Sequence, residues 1–434
     1  MGYLSLAVYV EKAIEKMILE ALLCCFGFEY GCSLPLENVA KESKFQTMIE
    51  YLPGEIIQTI MFRLPVKCLI KCTSVCKSWK SIIKNTSFVR AHLSHNVNNR
   101  DGAHLLLLHS GCCGTSHPIK EEVYSLHYDN RVFEEYCKID FHILRVALGM
   151  GEQNFRVVDI CHWLVCLADN SIAKTSKYML WNLSIRKALM LPSSGLTYIT
   201  HGHFEESIGF GFDVVTSDYK VVRLVTVDGR ETLAEVYSLV RDSWRSLGSV
   251  KPSCQIYGTQ PSAFCNGAIH WVVKRWTNGA FYYFILTFDV GSELFREITM
   301  PESTKYPLLW ESRVSVSGDG NSLALLSTYR RYTGNDYLVD LWVMKDYCVQ
   351  ESWTKMITLG PQRDIPKTLT FGKSGVAFLL VGDYFQKNRL VLLDMVSRRI
   401  RKIENVGYEY CNSIHCYEES RNLVLLGTDN TVSY

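Results

Sequence analysis

The sequence predicts a multidomain α+β chain, with a three-helix unit near the N-terminus and an all-β region after it arranged as a six-bladed β-propeller. Three observations carry this. Residues 51–93 place apolar side chains at helical spacing. After residue 103 the chain becomes a succession of short alternating or continuously apolar stretches, separated by Gly, Asp, Asn and Ser turns. Large apolar anchors then recur at Leu126, Trp181, Tyr237, Phe288, Trp342 and Leu393, with gaps of 55, 56, 51, 54 and 51 residues. That is the length of a four-stranded propeller blade.

Composition sets the broad class. A chain of 434 residues holds two or three domains or one large repeat, and 47% hydrophobic with 21% charged residues is ordinary globular material. A net charge of +2 gives no overall nucleic-acid signal. Sixteen cysteines, spread along the chain with no basic leader ahead of an apolar run, read as reduced core residues of a cytoplasmic or nuclear protein.

Residues 1–46 form an extension in which Leu6, Val10, Ala13, Ile14, Met17 and Ala21 make an apolar stripe opposite Glu11, Lys12, Glu15, Lys16 and Glu20. An amphipathic helix fits that pattern, and no run of about 20 apolar residues is present to span a membrane. Gly2 lacks the Ser or Thr that myristoylation needs, since Leu6 stands there.

Residues 47–95 carry the helices. Pro53 opens the first, which bears Ile56, Ile57, Ile60, Met61 and Leu64. Pro65 ends it and begins the second, with Val66, Leu69 and Ile70. Val75, Cys76, Trp79, Ile82 and Ile83 mark a third, and Asn85-Thr86-Ser87 caps a short segment through Phe88 and Leu93. So small a unit cannot enclose so many large apolar side chains, so the surplus is expected to face a partner. Seven basic residues (Arg63, Lys67, Lys71, Lys77, Lys80, Lys84, Arg90) against Glu55 give this stretch a local +6. That charge suits DNA or an acidic protein, and the apolar excess favours protein.

A polar linker follows over 96–103, and the β region occupies 104–434. Phe133, Trp244 and Phe295 stand seven residues after their anchors, as in a tight hairpin, while Trp353 stands eleven after Trp342. Turn-like clusters precede the last five anchors: Cys161-His162, Gly209-x-Gly211, Cys265-Asn266-Gly267, Gly318-Asp319-Gly320 and Gly372-x-x-Gly375. The tail NSIHCYEESRNLVLLG offers one or two strands that can complete a terminal blade with the strand near Leu105–Leu108. A pair of β-sandwiches is the competing arrangement.

Two resemblances refine this reading. Leu-Pro-x-Glu-Ile-Ile from Leu52, Leu-Pro-Val-Lys-x-Leu from Leu64 and Val-Cys-Lys-Ser-Trp from Val75, followed by Phe88, resemble a plant-type F-box. Gly54 stands where an acidic or polar residue is usual, and Cys68 where Ser is common. The resemblance implies docking onto the Skp1 adaptor of an SCF ubiquitin ligase, and so to cullin, through Leu52, Pro53, Ile56, Leu64, Pro65, Leu69, Cys76 and Trp79. YMLWNLSIRKALMLP, IGFGFDVVTSDYKVVRLV, AEVYSLVRDSWRSLG and AFCNGAIHWVV are similar to the F-box-associated, kelch-like interaction domain of the S-locus F-box group. It implies recognition of a target protein for ubiquitination. Cys161-His162-Trp163-Leu164 departs from the family's Cys-Asn-Gly-Leu.

Catalytic patterns are missing. Gly209-x-Gly211 lacks the third glycine of a dinucleotide loop, and Lys367 occupies the first-glycine position of a phosphate loop ending at Gly372-Lys373-Ser374. The cysteine spacings suit no zinc site, and no cofactor is expected. Adjacent acids such as Glu121-Glu122, Glu134-Glu135 and Glu205-Glu206 read as solvated surface. The expected role is a non-catalytic adaptor that binds neither nucleic acid nor membrane. For its target surface, Tyr198, His201, His203, Tyr257, Tyr306, Trp310 and Tyr332 are the loop-borne candidates. Two alternatives stay open: a DNA-binding helical head on a propeller, and a propeller enzyme of glycosidase or oxidase type.

Overall fold

A computed structural model describes residues 54–433 except 65, 75, 98–103, 111–121, 131, 150–154, 170–176, 230, 257–260, 305–308, 319, 331–335, 363–364, 373–375, 383–388, 404–410, 419–422, 427 and 429. The amphipathic helix expected within 1–46 lies outside the described residues. The chain forms two compact units, one of residues 1–100 with 420–429 and one of 101–419 with 430–434.

The first unit contains α1 (Gly54–Arg63), α2 (Val66–Cys72), α3 (Lys77–Lys84) and α4 (Thr86–Val97). Four helices replace the expected three. The capped segment after Asn85 is a full helix of 12 residues, so the polar stretch read as linker from residue 96 begins inside it. Asn85 Oδ1 accepts the Ser87 backbone N–H at 2.8 Å, as a cap should. Phe62 of α1 stacks on Phe88 of α4 at 4.8 Å, and Phe88 on His92 at 5.9 Å.

The second unit is a six-bladed propeller, not a pair of sandwiches. Blade 1 is ordered β24 (Cys411–Glu418), β1 (His104–Ser110), β2 (Val123–Tyr128), β3 (Glu135–Ile139). Blade 2 comprises β4 (Phe155–Cys161), β5 (Leu164–Asp169), β6 (Tyr178–Asn182) and β7 (Lys187–Met190), with β25 (Val432–Ser433) on its outer edge. Blade 3 comprises β8 (Phe204–Asp213), β9 (Asp218–Val227), β10 (Glu231–Ser238) and β11 (Ser243–Ser249). Blade 4 comprises β12 (Ala263–Cys265), β13 (Ala268–Thr277), β14 (Ala280–Asp289) and β15 (Leu294–Ile298). Blade 5 comprises β16 (Leu309–Val316), β17 (Leu323–Arg330), β18 (Tyr337–Met344) and β19 (Trp353–Gln362). Blade 6 comprises β20 (Ile365–Phe371), β21 (Val376–Gly382), β22 (Arg389–Asp394) and β23 (Ile400–Lys402).

Strands β24, β4, β8, β12, β16 and β20 each contact the next, and β20 returns to β24, so the innermost strands close a ring. A strand from the C-terminal end supplies the innermost strand of blade 1, pairing Leu107 with His415. Each inner strand is the edge of its own sheet, and the ring leaves only short, protected edges around its centre. The second apolar run of the tail behaves differently: Leu423–Leu426 are buried, and their segment groups with the helical unit.

All six anchors fall in the third strand of successive blades. Tyr237 pairs with Trp244 and Phe288 with Phe295, as the hairpin spacing requires. Leu126 instead pairs with Cys137, because Phe133 sits in the turn at φ 58°. These outer turns share one device. Asn182, Asp289 and Asp394 each accept a backbone N–H from two or three residues ahead, at 3.2, 2.7 and 3.0 Å.

Most turn clusters are hairpin turns between the first and second strands. Asn266 and Gly267 take φ 51° and 72°, the pair a tight hairpin favours. His162 and Trp163 adopt the same geometry at 42° and 70°, so the departure from Asn-Gly leaves the turn type unchanged. Gly209 and Gly211 are a correction: they lie inside β8, where space rather than turning decides the residue. Two short helices were also missed in the β region, α5 (Phe141–Ala147) and α6 (Tyr198–His201). Asp140 caps α5 by accepting the His142 N–H at 3.0 Å, and Phe141 and Leu144 are its buried face.

Buried histidines tie the blades to pH. His270 on β13 donates from Nδ1 to the Ala263 carbonyl at 3.0 Å, leaving Nε2 to accept from the Tyr347 hydroxyl of blade 5 at 2.8 Å. Burial pushes its pKa down to about 4, and His415 is pushed to about 4 by burial and by His109. Both values lie below the unfolded value of about 6.5, so the stability these rings give is intact above that pH and lost as pH falls toward 4. Asp159 acts in the opposite sense, since burial raises it to about 7 and its contribution is lost as pH rises through that value. Two histidines outweigh one aspartate. Urea midpoints are therefore expected to fall as pH drops from about 6.5 to 4, with a shallower fall in His270→Gln.

Candidate functional site

The helical unit builds its site from caps and one amphipathic helix. Cys76 is the N-cap of α3, its Sγ accepting the Trp79 N–H at 3.4 Å. Trp79 and Ile83 form the buried face of α3, while Lys77, Lys80 and Lys84, spaced at three and four residues, are exposed opposite them. Lys71 and Arg90 are exposed too. A basic surface thus rests on an apolar underside.

Of the candidate adaptor residues, Leu52, Pro53 and Pro65 lie outside the described residues, as does the side chain of Ile56 on α1. Leu64, Leu69 and Trp79 are buried in the chain itself, with Trp79 only 6% exposed. Cys76 is exposed. The expected uncovered apolar surplus is therefore not found at these three positions. Contacts among the helices account for part of the covering, and what the surface offers instead is charge.

The propeller presents two unlike faces. Neighbouring strands in a blade are antiparallel, so connections from an outermost strand to the next blade leave on the same face as those between second and third strands. Among the described residues, 140–149, 191–203, 250–256 and 299–304 run on that face. The opposite face holds tight turns such as 162–163, 214–217, 239–242 and 266–267. Long connections on a rigid ring are where recognition is usually built.

Three of the target candidates fall on a described connection of this face. Tyr198, His201 and His203 share 191–203. The Tyr198 and His203 rings are 5.9 Å apart, Tyr198 stacks on Phe204 at 4.2 Å, and His201 Nδ1 meets Thr200 Oγ1 at 2.7 Å. Tyr257, Tyr306 and Tyr332 lie outside the described residues, as does the side chain of Trp310, second in β16.

Two of the paired acids are not solvated surface. Glu122 is buried and accepts from His109 at 2.9 Å, Tyr124 at 3.0 Å and the Phe155 N–H at 2.9 Å. Glu206 faces the buried Arg223 guanidinium at 2.8 Å. In β8 the neighbours do point opposite ways, with Glu205 exposed and Glu206 turned to a waiting donor. Gly372, from the failed phosphate loop, abuts the Asp129 carboxylate, an unsuitable neighbour for a phosphate. No group of three His, Cys, Asp or Glu placed to hold a metal occurs among the described residues. No helix among them is long and apolar enough to cross a membrane.

Comparison with known proteins bears on both units. Residues 49–90 match the F-box domain, and residues 120–434 match the F-box associated beta propeller domain. F-box protein CPR1 of Arabidopsis thaliana is 25% identical over 87% of this chain and 89% of its own length. A second F-box protein of that plant is 30% identical over 74% of this chain and 75% of its own, and an F-box/kelch-repeat protein is 25% identical over 76% and 85%. An F-box over residues 49–90 followed by an F-box associated propeller over 120–434 makes it a member of the plant F-box proteins that carry an F-box associated β-propeller domain.

Proposed function

We propose that this chain is the substrate-recognition subunit of an SCF ubiquitin ligase. Helices α1–α4 bind a Skp1-type adaptor, and through it a cullin, while the propeller holds a target protein for ubiquitination. The observation that carries this is the pairing in one chain of an F-box with a propeller whose long connections share one face. The chemistry is proximity. Holding the target beside a charged conjugating enzyme raises the effective concentration of its lysines, and no side chain of this chain transfers a proton. In this reading the protein works in the cytoplasm or nucleus, with neither nucleic acid nor membrane as partner.

Buried Leu64, Leu69 and Trp79 then fix the shape of the docking face, and Lys77, Lys80 and Lys84 give it a charge complementary to an acidic adaptor. Co-expression with Skp1 is expected to yield a stable complex that Leu64→Ala with Pro65→Ala abolishes. Leu64 is buried, so that pair also loosens the helices, by about 2–5 kcal/mol. Reversing Lys77, Lys80 and Lys84 to Glu separates the two effects, because these side chains are exposed. A well-folded triple variant should bind Skp1 about tenfold more weakly. Undiminished binding by both variants would remove this surface from the account.

A further inference from the structure

Blades 3 and 4 meet through an apolar core, in which Val222 and Val236 of blade 3 pack with Trp271 and Leu286 of blade 4. Toward the tight-turn end this contact becomes polar. Ser238 on β10 lies opposite Lys220 on β9 and Ser243 on β11, and Val236 lies opposite Arg245, so these residues share the face of blade 3 that meets blade 4.

Most of the charge there is already matched. Lys220 is buried, and its ammonium bonds Asp213 at 3.1 Å, Glu293 of blade 4 at 3.0 Å and the Val290 carbonyl at 2.8 Å, which uses all three of its N–H groups. Glu293 also pairs with Arg245. Asp218 accepts the Ser238 hydroxyl and, at 2.9 Å, the Val240 N–H.

A cavity of about 450 Å³ opens between these side chains and the 239–242 turn, a volume within the range of ligand sites. Arg241, Ser243 and Arg245 all line it. Among the described residues the Arg241 guanidinium and the Ser243 hydroxyl have no partner, and Arg245 gives one amino group to Glu293 and keeps the remainder of its planar fork. The rim is apolar. Val240, itself in the lining, is 50% exposed, Leu294 beside Glu293 is 55% exposed, and Val215 beside Thr216 is 89% exposed. Exposed branched side chains around a charged cavity are the mark of a protein-binding surface.

We propose that this cavity seats the carboxylate of an Asp or Glu from a partner protein, between Arg241, Ser243 and Arg245, while apolar residues flanking that acid cover Val215, Val240 and Leu294. Guanidinium forks grip carboxylates through paired, charge-assisted hydrogen bonds, and an apolar rim keeps water from them. The charges already present select the occupant. Asp218 and Glu293 line the same space, so a dianionic phosphate meets stronger repulsion than a singly charged carboxylate. A second copy of the chain would set Arg241 and Arg245 against their own counterparts, because a two-fold contact brings identical patches together. The site lies on the face opposite the long connections, so it goes beyond the substrate-receptor reading and stands apart from Skp1 binding.

Short synthetic peptides with a fixed central Glu and randomised flanks, screened on the purified full chain, test this. The tightest binders should carry apolar residues on both sides of the acid. Replacing that Glu with Gln, or making Arg241→Gln in the protein, should each weaken binding about tenfold, and the two losses should not add, because both remove one contact. Val240→Asp, which sets a like charge at the rim, should weaken binding by about the same factor. Arg241 and Val240 are exposed, so both variants keep the fold. Additive losses, peptides that bind without an acid, or tighter binding when phosphoserine replaces the Glu overturn the proposal. A screen that yields no binder does the same, as does self-association of the chain that Arg241→Gln reverses. Each of these outcomes leaves Skp1 binding standing, so the two readings fail separately.

Discussion

Arg223→Met is expected to cost the folded propeller about 3–5 kcal/mol, read from urea or thermal unfolding. Arg223 sits on β9 with its side chain 1% exposed. Its Nη1 donates to Glu235 Oε1 at 2.8 Å and to Ser194 Oγ at 3.1 Å, and its Nε donates to Glu206 Oε2 at 2.9 Å. Tyr178 of blade 2 donates its hydroxyl to the same Glu206 oxygen at 3.1 Å, and the Gly195 N–H reaches Glu235 at 3.2 Å. Taking away the cation leaves two largely buried carboxylates facing each other without compensation, and that, rather than the loss of any one bond, sets the size of the effect. Adding Glu206→Gln and Glu235→Gln to Arg223→Met should therefore recover much of the loss. A single variant as stable as the wild type would show that the cluster contributes little. The same substitution should loosen 191–203, the connection that carries Tyr198, His201 and His203, visible as faster hydrogen exchange there.

Gly209→Ala is expected to cost about 3 kcal/mol, at the upper end of what overpacking usually costs. A Cβ at this position would overlap the side chains of Ile269 and Trp271, both fully buried on β13 of the next blade. Neither Gly209 nor Gly211 has a positive φ, so the requirement is room, not backbone freedom. Gly211 is more forgiving, because its new Cβ would meet Phe264 at 2.7 Å and that ring is only half-buried. Gly211→Ala should cost about 1 kcal/mol. Equal losses in the two variants would contradict a steric origin specific to each contact.

The repeat was legible because one position, the third strand of each blade, keeps a large apolar side chain, buried in all but the half-buried Trp342 of blade 5. Trp181, Tyr237 and Phe288 mark it by size alone. Glycines misled at β8, where the residue that ordinarily marks a turn instead makes space between blades. Charge misled as well: DYKVVRLVTV reads as a greasy strand, yet Lys220 and Arg223 within it are buried ion-pair centres. No single-sequence pattern shows which acids lie across from them. Helix α5 was detectable, since Asp140 precedes Phe141, Leu144 and Leu148 at helical spacing. On the helical unit the motif located Cys76 and Trp79, but periodicity cannot distinguish an apolar residue facing its own helices from one facing another protein. The long-connection face follows from topology, so the sequence indicated its loops only as loops.

Titration of the full chain with purified Skp1 across a salt series, with duplex DNA as a parallel ligand, addresses the central claim most directly. The account predicts a stable complex with Skp1 that persists at moderate salt, and no comparable affinity for DNA. A chain that ignores Skp1, or one that holds DNA with an affinity collapsing as salt rises, would contradict it.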